Sequence, residues 1–161
     1  MITERYRAVV WKGKYLTLSV ELFNHYLRPS CELNNMSAAE LCEKITWIIS
    51  YSVYDTNAKL KGTREWYGLE DGTVVHAWHE ISGPPYSLWC YEYDSLERAK
   101  DSMRGHMSDD RYMELNLTPV KVAGDVPEEI IQMLKWYRYE LQTAPISEWC
   151  PERSVEKRRR R

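Results

Sequence analysis

The chain has 161 residues, of which 43% are hydrophobic and 29% are charged, and its formal net charge is −2. These values fit one globular domain with its own hydrophobic core and exclude a disordered chain. The small net charge gives no general electrostatic attraction to nucleic acid or to an anionic membrane. We therefore predict no membrane partner and no specific nucleic-acid partner.

The aromatic and cysteine content further limits the kind of protein this chain can be. The chain carries 12 Tyr and 7 Trp against one Phe, and Tyr and Trp suit interfaces and ligand pockets as well as cores. No signal peptide and no apolar run of roughly 18 residues is visible. The cysteines form no C-x-x-C pair and match no zinc spacing; they are Cys31, Cys42, Cys90 and Cys150. We predict a cytoplasmic protein with reduced thiols.

The first predicted elements are a strand and a helix. Apolar and polar residues alternate over residues 15–22, the period expected of a strand with one buried face. Ser37 and Glu40 match a capping box, in which side chains satisfy the first amides of a helix. Apolar residues then recur at helical spacing, which predicts a helix over residues 37–54.

The centre of the chain indicates a hairpin and a further helix. Residues 64–69 and 73–81 are strand-like and flank the turn sequence "EDG". A third strand, residues 86–93, follows the break imposed by "GPP". One apolar stripe predicts a helix over residues 96–107, and alternation predicts a strand over residues 111–117.

The C-terminal part predicts one last helix, "DVPEEIIQMLKWYRYELQ", with Asp125 and Glu128 as a capping box. Residues 1–150 then form a single α+β domain, and residues 151–161, which end in four Arg, form a disordered basic tail. The simplest architecture is a ferredoxin-like antiparallel sheet with two helices on one face, plus an extra N-terminal strand and a C-terminal helix. A homo-oligomer would cover the other face of such a sheet.

Alternation divides the strand over residues 73–81 into two faces. One face carries Val74, His76, Trp78 and Glu80, and the other carries Val75, Ala77, His79 and Ile81. We predict that the second set faces the core and that the first set is exposed.

The exposed set has the composition of a cation site. Glu80 beside Trp78 and His76 would hold a cation by charge and by cation–π attraction; the alternative is an ordinary solvent-facing strand. Glu114 lies on the predicted non-core face of the strand over residues 111–117 and would converge with Glu80 if the two strands are neighbours; the alternative is a solvated charge. A metal site in "HAWHE" is disfavoured, because His76 and His79 point to opposite faces. We predict no metal.

The segment from "REWYG" to "YMELN", about a third of the chain, resembles the central part of bacteriophage S-adenosylmethionine (SAM) lyases, formerly called SAM hydrolases. That family has a Tyr-Gly pair on one strand, a strand that ends in Arg-Glu, a turn with Ser and Pro, and then a strand, a helix and a strand. Tyr67 and Gly68 match the pair, and "SGPP" matches the turn. His79 and Glu80 stand where the family has Arg-Glu, so His79 departs from the pattern.

The resemblance implies a homotrimeric ferredoxin-like enzyme that binds SAM between subunits in the cytoplasm of the phage host, where it acts in antirestriction. The carboxylate of SAM attacks its own γ-carbon, which yields methylthioadenosine and homoserine lactone without a cofactor. By position, Tyr67 and Glu80 would be the catalytic residues. Trp78, His76 and Glu114 are the predicted substrate contacts.

Two other functions fit the same sequence. A non-enzymatic phage protein would use its Tyr and Trp surface to bind and inhibit a host defence protein. A regulatory module would bind a small molecule without turnover. Assays of SAM consumption, host-protein capture and ligand-induced stabilisation separate the three.

Overall fold

The computed structural model describes residues 42–80, 87–112 and 118–150. Within them the chain forms one six-stranded sheet and helices, an α+β fold. The strands are Ile45–Tyr54 (β1), Leu60–Leu69 (β2), Val74–Glu80 (β3), Ser87–Tyr93 (β4), Val120–Gly124 (β5) and Leu141–Thr143 (β6). The helices are Leu96–Tyr112 (α1) and Glu128–Trp136 (α2), with a 3₁₀ turn at Ile146–Glu148 and helical residues at 42–44.

The strand order across the sheet is β4-β3-β2-β1-β5-β6. The first four strands form an antiparallel meander, and β5 returns antiparallel to β1. β6 lies parallel to β5, with α2 as the crossover that a parallel pair needs. The sheet is therefore mixed and not purely antiparallel. This order does not confirm a ferredoxin-like arrangement, because no helix separates β1 from β2.

The predicted helix over residues 37–54 is wrong from residue 45 onwards, where β1 begins. The segment "ITWIISYSVY" is rich in β-branched and aromatic residues, which pack well in a sheet. β1 lies between β2 and β5, and seven of its ten residues are buried on the two faces. A strand buried on both faces shows no polar alternation, so its apolar residues matched a helical spacing by chance.

The hairpin of β2 and β3 is confirmed. The Leu69 N–H donates to the carbonyl of Thr73 at 2.8 Å, and the Thr73 N–H donates to the Asp71 carboxylate at 2.9 Å. Gly72 has a φ of 93°, a conformation that favours glycine, so the "EDG" turn is accounted for by its residues. The third strand is confirmed as β4.

The helix that was predicted over residues 96–107 continues to Tyr112 as α1. Its first turn is capped by Ser95, whose Oγ accepts from the Arg98 N–H at 3.2 Å. The predicted strand over residues 111–117 is wrong at residues 111 and 112, which are helical. Its other residues lie outside the described part of the chain.

The last predicted helix is confirmed as α2, but it is shorter at both ends. Pro127 occupies the N-cap position and no side chain caps the helix, so the predicted capping box is wrong. Arg138 has a φ of 63°, and the Tyr139 N–H donates to the Leu134 carbonyl at 3.0 Å. This left-handed residue and hydrogen bond are a Schellman-type end, which stops the helix before Leu141. β5 and β6 were not predicted.

Both helices pack on one face of the sheet, here called the helix face. Its core joins α1, α2 and alternate residues of the strands, among them Trp47, Ile49, Trp66, Met103 and Leu134. The opposite face, here called the cleft face, is also buried at its centre, where Ile48, Tyr67, Val75 and Ala77 are inaccessible to solvent. Alternation along each strand therefore assigns side chains to one of two buried surfaces.

Cys42 and Cys150 form a disulfide with a Cα–Cα distance of 5.7 Å across a sequence separation of 108. The prediction of reduced thiols is wrong for this pair. The two cysteines are far apart in the sequence, and only the fold brings them together. None of the described helices is both long and apolar enough to cross a membrane. The predicted strand over residues 15–22, the Ser37 capping box, the "GPP" turn and the basic tail lie outside the described residues.

Candidate functional site

The β3 residues predicted to be exposed lie on the helix face. His76 and Val74 have 0% and 2% of their surface exposed, although they were assigned to the non-core side. Val75 and Ala77 on the cleft face are equally buried. The division of β3 into two faces is therefore correct, but the inference that one of them is exposed is wrong.

The helix face is built around a buried ion pair. Arg64 Nε donates to Asp110 Oδ2 at 2.6 Å, and Arg64 Nη2 donates to Asp110 Oδ1 at 3.1 Å. The hydroxyl of Tyr51 also donates to Asp110 Oδ2, at 2.6 Å. Arg64 and Asp110 are 8% and 2% exposed, so the charges are shielded from water and compensate each other.

His76 belongs to the same cluster as a neutral acceptor. Its Nε2 lies 3.0 Å from Arg64 Nη1, and a guanidinium can only donate, so Nε2 accepts. Burial, the Arg64 charge and His106 hold the pKa of His76 well below its ordinary value. The imidazole stacks on Trp66 with ring centroids 3.8 Å apart. Among the described residues no group of His, Cys, Asp and Glu is arranged to hold a metal ion.

Trp78 and Glu80 are neighbours, as predicted. The indole Nε1 of Trp78 donates to Glu80 Oε2 at 2.8 Å. The guanidinium carbon of Arg64 lies 4.6 Å from the centroid of the Trp78 ring. A side chain of the protein itself therefore occupies the cation–π position that the sequence suggested for a ligand.

Tyr67 lies on the cleft face, on the opposite side of the sheet from Glu80. Its hydroxyl donates to Glu65 Oε1 at 2.6 Å. Glu65 Oε2 accepts from Trp149 Nε1 at 3.0 Å and from Ser50 Oγ at 3.3 Å. Glu65 is fully buried, and both of its oxygens accept hydrogen bonds.

The predicted site residues therefore do not form one group. His76, Trp78 and Glu80 share the helix face, and the sheet separates them from Tyr67. Glu114 lies outside the described residues. Glu65 is not among the residues that the sequence predicted for the site. The only local signal was a charged pair, "RE", inside a strand of aromatic residues.

A cleft with a volume of about 430 Å³ opens on the cleft face, within the range of small-molecule sites. The residues that give it chemistry are Ser50, Ser52, Thr63, Lys121, Glu148 and Trp149. Ser50 and Trp149 both donate to Glu65, so this carboxylate lies directly behind the wall of the cleft.

One side of the cleft is formed by the chain segment around the 3₁₀ turn. Lys121 Nζ lies 2.8 Å from Glu148 Oε1, and the two side chains are 39% and 35% exposed. Trp149 is almost fully buried and precedes Cys150, which the disulfide ties to Cys42. The wall thus has a covalent anchor as well as polar ones.

The cleft has groups that can bind and orient a ligand. Hydroxyls, an ion pair and an indole line it, and the described lining residues include no His and no Cys. Family models, curated proteins and solved structures gave no match to this chain.

Proposed function

We propose that the protein is a SAM lyase of the phage type, with its substrate bound in the cleft. The observation that carries the proposal is a cleft of about 430 Å³, lined by hydroxyls and by apolar surface and backed by the buried carboxylate of Glu65. The sequence resemblance to phage SAM lyases around Tyr67 and Gly68 supports the same reaction.

The charge of Glu65 suits a cationic substrate. SAM carries a sulfonium centre, and a carboxylate behind a largely dry wall attracts a cation more strongly than a carboxylate in water does. The hydroxyls of Ser50, Ser52 and Thr63 line the cleft and suit the hydroxyls of a ribose. Trp149 offers an aromatic surface beside them.

The reaction needs no group that the cleft lacks. A carboxylate oxygen of SAM attacks the γ-carbon, a C–O bond forms, and the C–S bond breaks with its electron pair moving to sulfur. The products are homoserine lactone and methylthioadenosine, and no proton or cofactor is consumed. The protein folds the substrate so that its carboxylate faces the γ-carbon, and a site of low polarity favours the charge-neutralising transition state.

The predicted residues take revised roles in this proposal. Tyr67 is a positioning residue, because its hydroxyl holds Glu65 and not the substrate. Glu80, Trp78 and His76 stabilise the sheet from the helix face. The ferredoxin-like homotrimer of the resemblance is part of the proposal, and a neighbouring subunit would close the open side of the cleft.

Incubation of the purified protein with SAM, followed by mass spectrometry, tests the proposal. We expect methylthioadenosine and homoserine lactone in equal amounts, with a loss of at least tenfold in rate for Glu65→Gln and a smaller loss for Tyr67→Phe. Glu70→Gln, in the exposed turn, is the matched control. Intact SAM with a folded protein would overturn the proposal, and a loss confined to Glu80→Gln would move the site to the helix face.

A second candidate is the binding of a host protein. Trp136 and Tyr112 are 79% and 63% exposed, and Tyr112 meets Tyr137 edge-on with ring centroids 6.3 Å apart. Exposed aromatic residues of this kind are frequent anchors of protein interfaces. Capture of a host protein by the wild type, and its loss in Trp136→Ala without any change in SAM turnover, would support this function.

A further inference from the structure

We infer that Lys121 and Glu148 recognise the α-amino-acid group of the ligand, with Lys121 binding its carboxylate and Glu148 binding its ammonium. This inference rests on the proposed function, which places SAM in the cleft. It adds the pair of residues that would select the zwitterionic amino-acid end of the ligand.

The backbone fixes both side chains at the cleft. Lys121 lies on β5, where it pairs with Ser50 of β1 on one side and Gln142 of β6 on the other. Glu148 ends the 3₁₀ turn, and its N–H donates to the Pro145 carbonyl at 3.0 Å. Two unlike charges therefore stand at one side of the cleft on elements that hold their spacing.

The pair retains hydrogen-bonding capacity. An ammonium has three donors, and the contact with Glu148 Oε1 uses one of those of Lys121. Glu148 Oε2 is buried and receives no hydrogen bond in the described part of the chain. A buried oxygen without a donor is costly, and a rotation of the carboxylate would offer it to a ligand ammonium.

A paired site discriminates by charge pattern. A lone Lys would favour any anion, and a lone Glu any cation. Lys121 and Glu148 together are neutral, so they gain most from a molecule that places both charges a few ångströms apart. A partly exposed ion pair contributes little to stability by itself, so a ligand can replace the Lys121–Glu148 contact at small cost.

Isothermal titration calorimetry with two stable probes tests the inference. S-adenosylhomocysteine carries the zwitterion, and methylthioadenosine has the same nucleoside without it. We expect S-adenosylhomocysteine to bind at least tenfold more tightly than methylthioadenosine. Lys121→Met and Glu148→Gln should each abolish this difference while binding of methylthioadenosine is unchanged.

The exposed ion pair of Lys44 and Glu70, 3.6 Å apart and away from the cleft lining, provides matched controls. Lys44→Met and Glu70→Gln should leave both affinities unchanged, and thermal unfolding would show that all four variants are folded. Equal affinity for the two probes, no binding of either, or no effect of the cleft variants would overturn the inference.

The two proposals can fail separately. Zwitterion-dependent binding without cleavage of SAM would refute the lyase and leave this inference standing. Cleavage of SAM with an unchanged KM in Lys121→Met and Glu148→Gln would do the reverse.

Discussion

Replacing Asp110 by Asn keeps the shape of the side chain and removes its charge. In the native protein Asp110 accepts two hydrogen bonds from Arg64 and one from Tyr51. The amide presents an N–H₂ group to donors that already point at it. It also leaves the guanidinium of Arg64 buried without its counter-charge.

The expected loss of stability is about 3–5 kcal/mol, the cost of removing one partner of a buried ion pair. Native domains are stable by roughly 5–15 kcal/mol, so this loss is a large share of the total. For a chain of this size it corresponds to a fall of roughly 6–20 °C in Tm.

Urea unfolding followed by circular dichroism would measure the change. Asp101→Asn is the control, because Asp101 lies on the same helix and its pair with Arg104 is at the surface. We expect no measurable change for the control. A loss below about 1 kcal/mol for Asp110→Asn, or strict additivity with Arg64→Met, would refute the interpretation of a coupled buried pair.

Stability should decline as the pH falls below about 6.5, since burial lowers the pKa of His76 and the unfolded chain takes up the proton first. The loss of stability is complete below the pKa of His76 in the folded protein. Urea midpoints between pH 7.5 and 5.5 would show the decline, and His76→Gln should flatten the dependence of stability on pH. A Cβ at Gly68 would overlap the indole of Trp47, so Gly68→Ala should cost about 1–3 kcal/mol in urea unfolding and less in a Trp47→Leu background. The disulfide between Cys42 and Cys150 closes a long loop, so its reduction should lower the free energy of unfolding by about 2–4 kcal/mol, measured by urea unfolding. The stability of Cys42→Ala should not change when reductant is added.

The parts of the fold that local chemistry encodes were predictable. The turn requires a residue with a positive φ and a side-chain hydrogen-bond acceptor. Gly72 supplies the first and Asp71 the second, and both residue types are typical of turns. The helix α2 was predictable from its apolar stripe. β1 was not, because a strand buried on both faces has neither the polar alternation of a surface strand nor the polar side of a surface helix.

The site was less predictable, because it depends on contacts between distant residues. Alternation placed His76 and Trp78 on one face, but only the fold shows that α1 covers that face and brings Asp110 to Arg64, 46 residues away. Glu65 owes its surroundings to Trp149, 84 residues away. No periodicity or spacing in the sequence predicts these contacts between distant residues.

Arg64 and Glu65 are consecutive in β2, and each is buried on a different face of the sheet. A strand that slipped by one residue would exchange them, because neighbouring side chains point to opposite faces. The carboxylate would then face Asp110, and the guanidinium would face the indole N–H of Trp149 and the hydroxyl of Ser50. Like charges would meet in one interior and hydrogen-bond donors in the other, so this dipeptide makes a register shifted by one residue unfavourable.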